Sequence, residues 1–198
     1  TLKNYFLGHK ELFEGLKIYN LEKDWNTYPV FHVDFNGSNF TVPGELEQKI
    51  RFHVSEWEKH YNLPCREEEL GIGDRFAEVL RAAHAQTGRR AVVLIDEYDK
   101  PILDVLDVDT SLEDRHRNVL KAFYSVFKVA DSHLQFVLLT GVTKFSQVSV
   151  FSGFNQPKDI SMDARYETLC GITQEELDSY FVEPITAMAK KNRCSFDE

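Results

Sequence analysis

The chain has 198 residues, 42% of them apolar with 15 Phe and 8 Tyr, enough to fill the core of one domain of ordinary size. Its formal charge of −9 argues against a surface that grips nucleic acid by its phosphates, which needs clustered Lys and Arg. No run approaches the roughly eighteen apolar residues of a membrane span, and residues 1–18 lack the order of a signal peptide, so a cytoplasmic protein without membrane contact is expected.

Cys65, Cys170 and Cys194 are odd in number and far apart, which points to incidental thiols rather than a disulfide framework or zinc knuckle. The seven histidines form no H-x-x-x-H or H-E-x-x-H pattern, so no transition-metal site is indicated.

Helical spacing of Leu2, Tyr5, Phe6, Leu12, Phe13 and Leu16 predicts that the chain opens inside a helix. Residues 28–35, Y-P-V-F-H-V-D-F, read as a buried strand that admits Pro29 only at its start. From Pro43, placed for a first helical turn, Leu46, Ile50, Val54, Trp57 and Tyr61 mark an amphipathic helix that stops at Pro64. A second helix spans residues 74–86, with Gly88 as its stop. Residues 91–95 are then apolar without a break, ending at Asp96 and Glu97.

A helix is predicted over residues 111–130, with Ser111 and Asp114 as a weak capping box. Residues 134–139 form a third buried strand, followed by Thr140 and Gly141. Thr173 and Glu176 make a capping box for a last helix, in which Pro184 demands a kink or break. Continuously apolar strands alternating with amphipathic helices imply an α/β fold, a parallel sheet with helices on both faces. Ligands of such sheets sit at the carboxyl ends of the strands, where Asp34, Asp96, Glu97 and Thr140 fall.

An apolar strand ending in Asp-Glu has a mechanical meaning in nucleotide hydrolases. The aspartate holds the water shell of a phosphate-bound Mg²⁺, and the glutamate orients or deprotonates the attacking water. Set against this is the plain alternative of a strand running out into a solvated acidic turn. Thr140, ending the next buried strand, stands where many such ATPases place a sensor of the γ-phosphate. Asp99 is a second acidic group near the metal, and Lys100 and Lys144 are lysines within range of phosphates. Asp34 is either an edge carboxylate or a helix cap.

The chain resembles the bacterial AAA-ATPase-like family. The likeness rests on F-E-G-L at 13–16, Y-P-V at 28–30, V-V-L-I-D-E-Y-D-K-P-I at 92–102, T-G-V-T-K-F-S at 140–146, V-F-S-G-F-N at 150–155, D-I-S at 159–161 and G-x-T-x-E-E-L at 171–177. It covers essentially the whole chain, as one partial ATPase domain over 1–198. The resemblance implies a three-layer P-loop NTPase fold of the AAA type, Mg²⁺ and ATP as ligands, and often a nuclease-like domain downstream. It also implies that Asp96 and Glu97 match the Walker B pair, with Thr140 at the sensor position, a role Thr143 could share, and Thr143 and Lys144 near the nucleotide.

No G-x-x-x-x-G-K-[ST] occurs in these residues. The likeness therefore implies that the phosphate loop and its strand precede Thr1 in the parent protein, and that this chain alone binds ATP poorly and is inactive. The missing strand would lie beside residues 134–139, leaving an apolar edge for self-association, for a rearranged C-terminal segment or for the absent residues. Two other readings remain open: a Mg²⁺-dependent nuclease-like enzyme using Asp34, Asp96, Glu97 and Asp99, and a non-catalytic ATPase-fold scaffold.

Overall fold

The computed structural model describes residues 1–142, 157–169 and 171–195. The chain divides into two compact units, residues 1–156 and residues 157–198. In the first, strands β1 (Val30–Asp34), β2 (Ala91–Asp96) and β3 (Leu134–Leu139) form a parallel sheet in the order β1-β2-β3. The unbroken apolar run of β2 explains its central place: residues 91–95 are buried, as only a strand covered on both faces and paired on both sides requires. β3 lies at the edge, where Phe136 keeps 37% of its surface exposed.

Two connections run from strand to strand. The first holds α3 (Glu45–His60) and α4 (Ile72–Thr87); the second holds α5 (Lys100–Leu103), α6 (Thr110–Tyr124) and α7 (Val126–Val129). Because both step the same way across the sheet, one handedness puts their helices on one face. There Phe31, Val33, Phe35, Val93 and Ile95 meet Leu46, Ile50 and Val54 of α3, Phe76 and Leu80 of α4, and Leu120 and Phe123 of α6 in one core. Phe76 is its hub, stacked at 5.0 Å on Trp57 and 5.3 Å on Phe123. The second face is met by the amino-terminal segment, which carries α1 (Leu2–Phe6) and α2 (Lys17–Leu21). Its Phe6 ring lies 5.3 Å from Phe136 and 5.8 Å from Tyr28.

The parallel α/β architecture agrees with the sequence expectation, while β3, expected as a buried strand, is an edge strand with no fully buried residue and several helix ends differ. Pro43 is not in the first helical turn, because Gly44 at φ 89° is the N-cap of α3. The cap of α6 is Asp109 rather than Ser111: its side chain accepts the Leu112 N–H, satisfying an amide that the helix leaves unpaired. The helix expected over 111–130 breaks at Ser125 into α6 and α7. Gly88 ends α4 at φ 67°, in its expected stop position.

In the second unit Thr173 and Glu176 form the expected capping box of α8 (Gln174–Tyr180). The chain breaks at Phe181 before α9 (Val182–Asn192), which accommodates Pro184 in an opening turn where its missing N–H costs little.

α3 and α4 are joined by a buried ion pair. Arg75, 1% exposed, donates from Nε and Nη2 to the two carboxylate oxygens of Glu58 at 2.8 and 2.6 Å, and from Nη2 to Ser55 Oγ at 3.0 Å. Such a pair contributes little net stability, yet losing one member strands the other charge. Glu58→Ala should lower the unfolding free energy by about 3–5 kcal/mol in urea melts. The apolar double replacement Arg75→Met with Glu58→Leu should recover most of that loss.

Histidines set an acid limit. His84 and His133 share a hydrogen bond between their Nδ1 atoms at 3.0 Å, tying α4 to the entry of β3. Burial, then the nearby His84 and Arg81, depress the pKa of His133; burial, then Lys49 and His32, depress that of His53. Between the folded values and 6.5, the unfolded chain therefore binds more protons than the folded one. Stability is thus present above about pH 6.5 and is lost as pH falls through the folded values. Chemical denaturation from pH 7.5 to 5 should show this decline, with a shallower slope in His133→Gln.

Candidate functional site

Polar residues gather where the three strands end. Asp34 is the register partner of Asp96, and Ile95 of Leu139, so Asp96 and Thr140 come side by side. The Thr140 hydroxyl donates to Asp96 Oδ1. Backbone bonds continue the ladder past the strands: Thr140 N–H to the Ile95 carbonyl at 2.9 Å, Tyr98 N–H to the Thr140 carbonyl at 2.9 Å, and Phe35 N–H to the Asp96 carbonyl at 3.1 Å. The positions of Asp96 and Thr140 are therefore fixed by the sheet rather than by a free loop.

After Asp96 the chain turns sharply. Glu97 has φ 54°, a left-handed conformation that costs a non-glycine residue about 1 kcal/mol. The turn sends Tyr98 and Asp99 inward: both are buried. Asp99 Oδ2 accepts the Val142 N–H at 3.1 Å. Lys100 turns to its own helix, donating to Asp104 at 2.8 Å.

Alternation along β1 puts His32 and Asp34 on the sheet face shared with Asp96. Burial and then Lys3 lower the pKa of His32, against the pull of Asp34 and Asp96. Lys3, from α1, is thus within electrostatic reach of the same edge. Asp34 Oδ1 also accepts the Asn36 N–H at 2.8 Å, ordering the turn after β1.

This is a parallel sheet whose central apolar strand ends in Asp-Glu beside a hydroxyl on the next strand, and a family model described as Predicted AAA-ATPase matches residues 1–151. The chain belongs to this family. It is also 40% identical over 192 residues to a protein of Azotobacter chroococcum mcd 1 described as "Uncharacterized protein in vnfD 5'region". That match covers 95% of this chain and 36% of the relative, so the chain spans about a third of that protein's length. No solved structure matches the chain.

Within the AAA-ATPase-like match, Asp34, Asp96, Glu97 and Thr140 share one edge. Asp99 lies beneath it, and Lys100 is engaged by Asp104. Thr143 and Lys144 fall outside the described residues. Asp34 and Asp96 are register partners on neighbouring strands, whose backbones lie about 4.8 Å apart. Asp96 Oδ1 accepts the Thr140 hydroxyl. Among the described residues no group of three or more His, Cys, Asp or Glu converges as a ligand set.

The sequence reading missed His32 and Lys3 as members of this neighbourhood. His32 had a signal, the period-two spacing H-x-D on a strand. Lys3 had none, since only the packing of α1 on β1 brings it near.

Glu97→Gly removes the side chain and the left-handed strain together. It should raise the unfolding free energy by about 0.5–1 kcal/mol, the relieved strain exceeding the added freedom of the unfolded chain. Paired thermal and urea melts against Glu97→Ala, which retains the strain, measure the difference.

Proposed function

We propose that this chain is the Walker B and sensor half of an ATP-hydrolysing, P-loop-type domain in a larger protein. The observation that carries this reading is the Thr140 hydroxyl on Asp96 at the end of the central strand, with Glu97 next along the chain. Asp96 would hold the water shell of a Mg²⁺ ion at the nucleotide phosphates. Glu97 takes the proton of the attacking water as general base. Thr140, bonded to Asp96, would serve as the sensor of the γ-phosphate. Mg²⁺ would supply charge neutralisation on the phosphates. Thr143 and Lys144 are assigned to the nucleotide, with Lys144 as a phosphate contact.

The phosphate-binding backbone and its lysine belong, in this reading, to residues outside this sequence, so the 198 residues alone would hydrolyse little ATP. The outer edge of β3, unpaired among the described residues, is where the corresponding strand or a second copy of the chain would add. A nuclease-like reading is less well supported, because among the described residues the edge has Lys3 and Lys49 within electrostatic reach but no basic cluster.

In the full-length protein, Glu97→Gln should retain ATP binding within a few-fold while turnover falls by about 10²–10⁴. Binding is read with a fluorescent ATP analogue and turnover by phosphate release. Unchanged turnover would remove Glu97 from the role of base.

A further inference from the structure

Asp99 is the one acid of the D-E-Y-D run that the site edge does not use: it is 0% exposed. A carboxylate is taken out of water only where hydrogen bonds replace its hydration, and one such bond comes from the backbone of the segment after β3, the Val142 N–H at 3.1 Å. The fit there is close. A Cβ on Gly141 would lie 2.5 Å from Asp99 Oδ1 and 2.6 Å from Tyr98 Cε1, so only glycine lets the backbone approach. Tyr98 N–H grips the Thr140 carbonyl at 2.9 Å from the same side, and the buried Tyr124 hydroxyl donates to the Tyr98 carbonyl at 3.3 Å. Thr140 therefore stands between two fastenings, Tyr98 on its own carbonyl and Asp99 two residues on.

We propose that Asp99 is a positioning residue, a latch that binds the Gly141–Val142 backbone to the turn after β2 and so holds the Thr140 hydroxyl against Asp96. It is not a metal ligand in this assignment. Gly141 is the matching half of the latch. The chemical requirement at position 99 is an acceptor oxygen of the right length, not a negative charge. A ligand role would require the opposite.

The catalytic consequence rests on the ATPase reading, whereas the latch itself does not, and the test separates them. Hydrogen exchange in the full-length protein should show the Val142 amide accelerated at least about tenfold in Asp99→Ala and in Gly141→Ala, with the Val93 and Phe123 amides unchanged. Asp99→Asn, whose carboxamide oxygen accepts the same bond, should stay within about threefold of the parent. In MgATP turnover, Asp99→Asn should keep the parent's half-saturating Mg²⁺ concentration within about twofold, while Asp99→Ala lowers kcat about tenfold at unchanged KM.

Unchanged Val142 exchange in Asp99→Ala would overturn the latch. So would a tenfold greater Mg²⁺ requirement in Asp99→Asn, which marks a ligand. Should Asp99→Ala fail to fold, Asp99→Asn and Gly141→Ala decide by the same exchange criterion. If the parent protein hydrolyses no ATP, the ATPase reading falls and Val142 exchange still decides the latch.

Discussion

β2 is a strand with no solvent-facing side, and the rest of the first unit follows from that constraint. Its residues from Ala91 to Ile95 are buried, so they need a hydrogen-bonded neighbour on each side and a cover on each face. β1 and β3 provide the pairing, the α3–α7 layer one cover and the amino-terminal segment the other. The first charge the strand meets, Asp96, must then fall where that enclosure ends. Chemistry at the carboxyl edge is in this sense a product of the burial behind it. The same logic applies less strictly to β3, whose Phe136 stays partly exposed.

Strand β2 and helix α3 were legible because their patterns are long and agree with their environment: five apolar residues in a row, and apolar steps of three and four over Leu46 to Tyr61. Gly88 and Thr173 were legible because each acts on its own backbone, within a few residues. What failed depended on contacts made elsewhere. The apolar stripe of α6 runs on into α7 because Phe123 and Phe127 both reach Phe76, so periodicity shows no break at Ser125. Asp109 and Ser111 are both good capping residues, and the extended backbone at Asp109 settles which of them caps.

The candidate site was legible to a similar degree. Asp96, Glu97 and Thr140 could be placed at one edge from strand ends alone, given a parallel sheet. Asp99 could not be distinguished from them by type or spacing: it is one more acid in D-E-Y-D. Its burial is decided by the left-handed turn at Glu97, which redirects the chain into the protein one residue after the strand's last charge. A local conformation that sequence rules discourage for glutamate thus sorts two neighbouring acids into different environments.

That sorting gives the strain at Glu97 a structural reason. A glycine there would satisfy the backbone more cheaply but would carry no carboxylate at the edge. The fold instead keeps an unfavourable φ and compensates with fixed neighbours: Tyr98 tied to Thr140, Tyr124 tied to Tyr98, and Lys100 N–H bonded back to the Glu97 carbonyl at 3.1 Å. Each of these restraints lies on buried or hydrogen-bonded backbone, so the turn cannot relax without disrupting β3 or α5. The backbone from which the Glu97 side chain springs is thereby held at the end of β2. Stability and placement at residue 97 oppose each other, and the sheet end is built around placement.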